Sequence, residues 1–318
     1  MVKRRLTRFL LGAIATVLGA VMLGLIWLLA PVISEPDFLA RKGQLVASEV
    51  TSESLQPDGR LVEVNLLSSS GLEVELALRV PDHPLPHRPL LVLLGGQETG
   101  RAAAEIIPAT HGVVVAALSY PFGTVPHRDG LELALALGRI QRGILDTPPA
   151  VLLALDYLLA RPDLAPRRVE LAGISFGAYL AAVPAALDRR VERLWLIHGS
   201  GDPAAVLEFG LAKRIPSEFL RRGVASLLAA VASAHHLSPE QWVARVAPRP
   251  LVVVNAVNDT ALPPEAVQAL HHSLVPPYEV LWTPGDHVHP KRPETIHATT
   301  RLLFERMEAD SLVSSDGV

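Results

Sequence analysis

The spacing of hydrophobic and polar positions takes three forms in turn along this 318-residue chain. Residues 9–30 form an uncharged apolar run. As a helix it would span about 33 Å, enough to cross a bilayer core of about 30 Å. Then RLVEVNLL and LEVELALRV alternate apolar and polar residues around Ser68-Ser69-Ser70-Gly71. That pattern predicts an antiparallel hairpin. Next come continuous apolar runs: PLLVLLGG, GVVVAALSYP, RRVELAG, RLWLIHG, RPLVVVNA and YEVLWTP. Runs of this kind belong to strands buried on both faces.

Helical patterns separate or follow these runs at 101–107, 149–160, 178–187, 264–274 and 294–308. Strands alternating with helices imply parallel βαβ units. The chain therefore reads as one doubly wound α/β domain over residues 46–310, with an N-terminal hairpin. Residues 203–248 break the rhythm, with helical stretches and no intervening strand. They are expected to form a small helical lid over one end of the sheet. Residues 31–45 read as a linker and 311–318 as a frayed polar tail.

Composition sharpens the reading of the first segment. Hydrophobic residues make up 49% of the chain and mean hydropathy is +0.31, high for a soluble protein. Lys3, Arg4, Arg5 and Arg8 precede the apolar run, and Glu35 and Asp37 follow it. The positive-inside rule then leaves the N-terminus in the cytoplasm and the domain outside. A cleaved signal peptide is the alternative, but its apolar core would be about 7–15 residues and end in a small-x-small site. The expected partner of residues 9–30 is the lipid bilayer. The formal net charge of −3 gives no concentrated basic face for nucleic acid. The absence of cysteine excludes disulfides and thiolate chemistry. No metal-ligand spacing and no phosphate loop occurs, so no cofactor or metal is expected.

The candidate chemistry starts at Gly173-Ile174-Ser175-Phe176-Gly177, between the apolar run VELA and the helical AYLAAVPAAL. This is Gly-x-Ser-x-Gly in a strand–turn–helix setting, where a sharp turn presents the serine. Gly173 and Gly177 leave room for that turn. A serine hydroxyl is a weak nucleophile and needs a neighbouring base. Of the 12 histidines, His287, His289 and His297 follow the last apolar strand, and His297 falls inside a helix. His287, on the short loop after YEVLWTP, is the favoured base, with His289 as runner-up. Asp259, just past RPLVVVNA, is the favoured acid, with Asp202 as runner-up; Asp286 beside His287 reads as structural. The oxyanion donors are expected from the N–H of Phe176 and the N–H of Gln97, with Gly95 and Gly96 letting the backbone approach.

The stretches LAGISFGAYLAA, NAVNDTALPP and PGDHVH resemble the α/β-hydrolase superfamily over nearly all of residues 46–310. DYLLARPDLAPRRVELAGISFGAYLA is similar to the branch of dienelactone-hydrolase-like, acetylxylan-esterase-like and prolyl-oligopeptidase-related enzymes. The resemblance implies Ser175 as nucleophile, Asp259 as acid and His287 as base. It departs where the family often carries His-Gly and this chain has Gly95-Gly96. It also departs from the cysteine of true dienelactone hydrolases, so that substrate is not implied. The expectation is a membrane-anchored serine esterase acting on an acyl or lipophilic ester. A silent hydrolase-fold scaffold and an acyltransferase on the same triad are the alternatives.

Overall fold

The computed structural model describes residues 12–21, 24, 34–84, 89–123, 131–164 and 168–315. Nine strands form a single sheet: β1 Leu45–Gln56, β2 Gly59–Ser68, β3 Glu73–Pro81, β4 Leu90–Leu94, β5 Val114–Leu118, β6 Val169–Ile174, β7 Val191–Ile197, β8 Leu251–Ala256 and β9 Tyr278–Thr283. Their spatial order is β1-β2-β3-β5-β4-β6-β7-β8-β9. The first three strands and β5 pair antiparallel, and β5 through β9 pair parallel. The alternating runs thus form the hairpin, and the continuous apolar runs form the parallel strands, buried except for the half-exposed edge strand β9.

Alternation across the pleat sends the side chains of each central strand to two different cores. Val92, Leu94, Leu171, Leu196 and Val253 pack on one face with Leu153 and Leu180. Those two belong to the helices Leu131–Leu159 and Phe176–Leu187. Leu91, Leu93, Ala172, Trp195 and Val254 pack on the other face with Ala104, Leu303 and Phe304. Helices on both faces make the sheet doubly wound, as its apolar runs require.

Several expectations need correction. Strand β1 was not anticipated; nearly all of it is exposed, so it carries no apolar signal. The segment 31–45, expected as a linker, contains the helix Glu35–Lys42. That helix buries Phe38 against Trp242, ring centroids 6.0 Å apart, and ties Glu35 to Arg245 at 2.6 Å. The helix expected at 149–160 begins earlier, at Leu131, and carries Pro148 and Pro149 inside it. Prolines fit best at a helix start, so the pair marks a false boundary in the sequence. The C-terminal helix Pro293–Ser315 continues into the expected tail, and 316–318 lie outside the described residues. Among the described residues no helix is long and apolar enough to cross a membrane. Much of the apolar run at 9–30 lies outside the described residues, and its described parts, 12–21 and 24, are helical.

The insertion 203–248 is helical, with Pro203–Leu211 and Glu218–Val231 as its longest elements. It docks beside the elbow helix Phe176–Leu187. The Tyr179 hydroxyl donates to the Ala234 carbonyl, and Gln141 Nε2 donates to Ser233 Oγ at 2.9 Å.

Candidate active site

Ser175 sits between β6 and the elbow helix with φ 54° and ψ −115°. Side chains other than glycine rarely adopt such a positive φ, and such strain persists only where its surroundings enforce it. Here the Ser175 N–H donates to the Ile197 carbonyl at 2.8 Å, and the Ser175 carbonyl accepts from the Ala178 N–H at 3.0 Å. The glycines give the turn its space. A Cβ on Gly173 would lie 2.4 Å from the Gly177 carbonyl oxygen, and one on Gly177 would lie 2.1 Å from that of Leu94.

The structure brings Ser175, His287 and Asp259 into one hydrogen-bonded chain. His287 Nε2 lies 2.7 Å from Ser175 Oγ, and His287 Nδ1 lies 2.8 Å from Asp259 Oδ2. The other Asp259 oxygen accepts from the N–H groups of Ala261 and Leu262 at 2.8 and 3.0 Å. Burial pushes the Asp259 carboxyl up. The His287 hydrogen bond and charge, with the two backbone N–H groups, outweigh it and hold the carboxyl below the usual range. The aspartate is therefore a carboxylate at neutral pH, set to accept from Nδ1–H and leave Nε2 unprotonated toward the serine.

The runner-up residues lie outside that hydrogen-bonded chain. Asp202 caps the helix Pro203–Leu211, accepting from the Ala205 N–H at 3.0 Å. His289 is exposed at the rim, where its Nδ1 accepts from the Lys291 N–H at 3.1 Å. Asp286 ties the loops that carry Asp259 and His287 together. It accepts from the N–H groups of Thr260 and His287 at 2.8 and 2.7 Å and pairs with Arg292. Those two N–H groups above all hold its carboxyl well below the usual range.

A cavity of about 320 Å³ opens beside Ser175 and His287. Gly95, Gly96 and Gln97 line it, and Ile106, Ile107, Ile296 and Leu303 make much of the rest of its lining apolar. None of its lining residues comes from the insertion 203–248. The insertion expected as a lid thus packs on the flank of the elbow helix, and the C-terminal helix and the helix Ala103–Ile106 contribute to the cavity lining instead. An amphipathic pattern shows that a helix buries one face but not against what.

His198, at the end of β7, was missed in the sequence. Only 1% exposed, it accepts from the Val288 N–H through Nδ1 at 2.9 Å and bonds Thr283 Oγ1 through Nε2 at 2.9 Å. It thereby fixes the backbone next to His287. His198, Asp259 and His287 each place a potential metal-ligand atom within 4.8 Å of the others. These side chains already hydrogen-bond to one another or to neighbouring loops, so the cluster is accounted for without an ion. Burial first, then the His287 charge, lowers the His198 pKa to about 4 despite Asp259 and Asp286. The unfolded imidazole takes up a proton below about pH 6.5, while the folded one resists until about pH 4. Folding stability is therefore expected to fall as pH drops through that window, by about 3 kcal/mol in full. Urea unfolding at several pH values should show a shallower slope in His198→Gln; identical slopes would exclude this source.

No family model and no curated protein matches the sequence. Solved structures do. An acetyl xylan esterase from Paenibacillus sp. R4 matches with a TM-score of 0.61 at 16% identity, covering 86% of this chain and 92% of that one. A cold-adapted esterase from an Arctic intertidal metagenomic library gives 0.56 at 16% identity, covering 82% and 99%. An esterase domain from a Rhodothermus marinus protein gives 0.53 at 14% identity, covering 76% and 95%. The mixed sheet, the serine on a turn between β6 and its helix, and these neighbours together show that the chain has the α/β-hydrolase fold.

Proposed function

We propose that this chain is a serine hydrolase of carboxylic esters. The observation that carries the reading is the continuous chain Ser175–His287–Asp259 at 2.7 and 2.8 Å. Ser175 Oγ attacks the ester carbonyl carbon while His287 Nε2 takes its proton. Asp259 holds the imidazole in the tautomer that leaves Nε2 free and stabilises the imidazolium. The oxyanion is met by the N–H groups of Phe176 and Gln97. His287 then protonates the departing alcohol oxygen, leaving the acyl group on Ser175. Water repeats the attack with His287 again as base, and the acid leaves. The apolar lining of the cavity suits an apolar acyl group.

The reading extends to location. Residues 9–30 anchor the domain to a membrane, with the N-terminus cytoplasmic. Support comes from the length of the uncharged run and from Ile14, Val17, Leu18 and Val21, each more than half exposed on the helical part that is described. One experiment addresses both parts. The full chain, treated with a fluorophosphonate, is expected to sediment with membranes and carry one label on the Ser175 peptide by mass spectrometry. Label on another residue, or none on folded protein, removes the hydrolase. A soluble chain, or one lacking its first ~30 residues, removes the anchor.

A further inference from the structure

The loop after β4 must present an N–H to the oxyanion, yet it contains two adjacent glycines, the residues with the most backbone freedom. Hydrogen bonds to both glycine carbonyls remove that freedom. The Gly96 carbonyl accepts from the Thr99 N–H at 3.0 Å and from Thr99 Oγ1 at 2.9 Å. The Gly95 carbonyl accepts from the hydroxyl of Tyr120, a residue from the end of β5. In a planar trans peptide the carbonyl and the following N–H point in opposite directions. Holding the Gly95 carbonyl therefore sets the direction of the Gly96 N–H, and holding the Gly96 carbonyl sets that of Gln97.

Tyr120 is itself immobilised. It is 5% exposed, its ring is stacked on Phe122 at 5.2 Å, and it meets Phe176 edge-on at 5.2 Å. Phe176 is the residue after Ser175, and its N–H is the other oxyanion donor. One side chain thus touches both halves of the oxyanion site: its hydroxyl the glycine loop, its ring the elbow. We propose that Tyr120 is a positioning residue that holds the oxyanion site in its working geometry before substrate arrives. Burial pushes the phenol pKa up, so the hydroxyl remains a donor across the working range. Without it, the buried Gly95 carbonyl loses its donor and the Gly95–Gly96 peptide can rotate to seek another, displacing the adjoining Gly96–Gln97 peptide that carries the donor N–H. The cost falls on the transition state, where charge develops on the oxygen, and little on the bound ester.

This inference rests on the esterase reading, and the test separates the two. Tyr120→Phe keeps the ring and deletes the hydroxyl. Its kcat on a p-nitrophenyl ester is expected to fall by about 10- to 100-fold with KM within about twofold. Affinity for a trifluoromethyl ketone, which forms a tetrahedral oxyanion adduct on the serine, should weaken by a similar factor. A purely structural role would lower Tm and leave kcat per folded molecule and ketone affinity unchanged, which overturns the proposal. Thr99→Val, which removes one donor to the Gly96 carbonyl, should shift the same two parameters severalfold and reads out the same preorganisation if Tyr120→Phe does not fold. An unchanged Tyr120→Phe beside an inactive Ser175→Ala removes this inference alone. A folded wild type inactive on esters and unlabelled by fluorophosphonate removes both.

Discussion

Ser175→Ala is expected to lower kcat by about 10⁴- to 10⁶-fold on any ester the wild type hydrolyses, with KM changed only a few-fold. The size follows from what is deleted. Without Oγ there is no acyl-enzyme, and His287 can only assist a water that the site does not place. On the proposed reading the N–H groups of Phe176 and Gln97 would still meet the carbonyl oxygen, so a remnant of oxyanion stabilisation should survive and the loss should not be total. Asp259→Asn should cost about 10⁴-fold, because an amide NH₂ turned toward Nδ1 favours the tautomer with its proton on Nε2. Asp202→Asn should stay within about twofold, since Asp202 serves a helix end away from His287. Steady-state kinetics on the four proteins, each checked for folding by circular dichroism, decides the matter. A folded Ser175→Ala with more than about a tenth of wild-type kcat would remove Ser175 as nucleophile, and a large loss in Asp202→Asn would reopen the choice of acid.

How much of this was legible in the sequence depends on the range of the signal. Strands β4 to β8 were readable because burial on both faces leaves a continuous apolar run in each; β9, at the sheet's edge, is only half-buried and was readable from its β-branched and aromatic residues. The hairpin β2–β3 was readable because one buried face leaves alternation. Strand β1 was not, because an edge strand exposed along its length needs no apolar residues. Pro148-Pro149 hid eighteen residues of helix behind a pair that reads as a start. Ser175, Asp259 and His287 were visible because each follows its own strand, in an order that chain topology converts into proximity. His198 and Tyr120 carry no such local mark. The partners of His198, Thr283 and Val288, are 85 and 90 residues away, and Tyr120 meets Gly95 across 25. Their roles exist only once β4, β5, β7 and β9 are laid side by side. The docking side of 203–248 was illegible for the same reason.

The elbow glycines allow a sharper test of the fold, because intrinsic propensity and packing predict opposite signs there. Gly177 lies in the first turn of the elbow helix, and Gly223 lies inside the helix Glu218–Val231. By helix propensity alone, alanine at either position would stabilise by up to about 1 kcal/mol. At Gly223 nothing lies within 4 Å of the added Cβ, so Gly223→Ala should realise that gain. At Gly177 the Cβ would stand 2.1 Å from the Leu94 carbonyl oxygen and 2.8 Å from that of Gly95. These are backbone atoms where β4 enters the oxyanion loop, and β4 is held by β5 on one side and β6 on the other. Neither the strand nor the helix can retreat without breaking ladder bonds or moving Ser175. Gly177→Ala is therefore expected to destabilise by about 3 kcal/mol, against its propensity, with kcat falling further than the folded fraction accounts for. Urea unfolding and active-site titration on the same samples measure the two parts. If Gly177→Ala is as stable as Gly223→Ala, the close approach of elbow and oxyanion loop is wrong. If it is destabilised but fully active per folded molecule, the approach is real and the loop geometry tolerates being pushed.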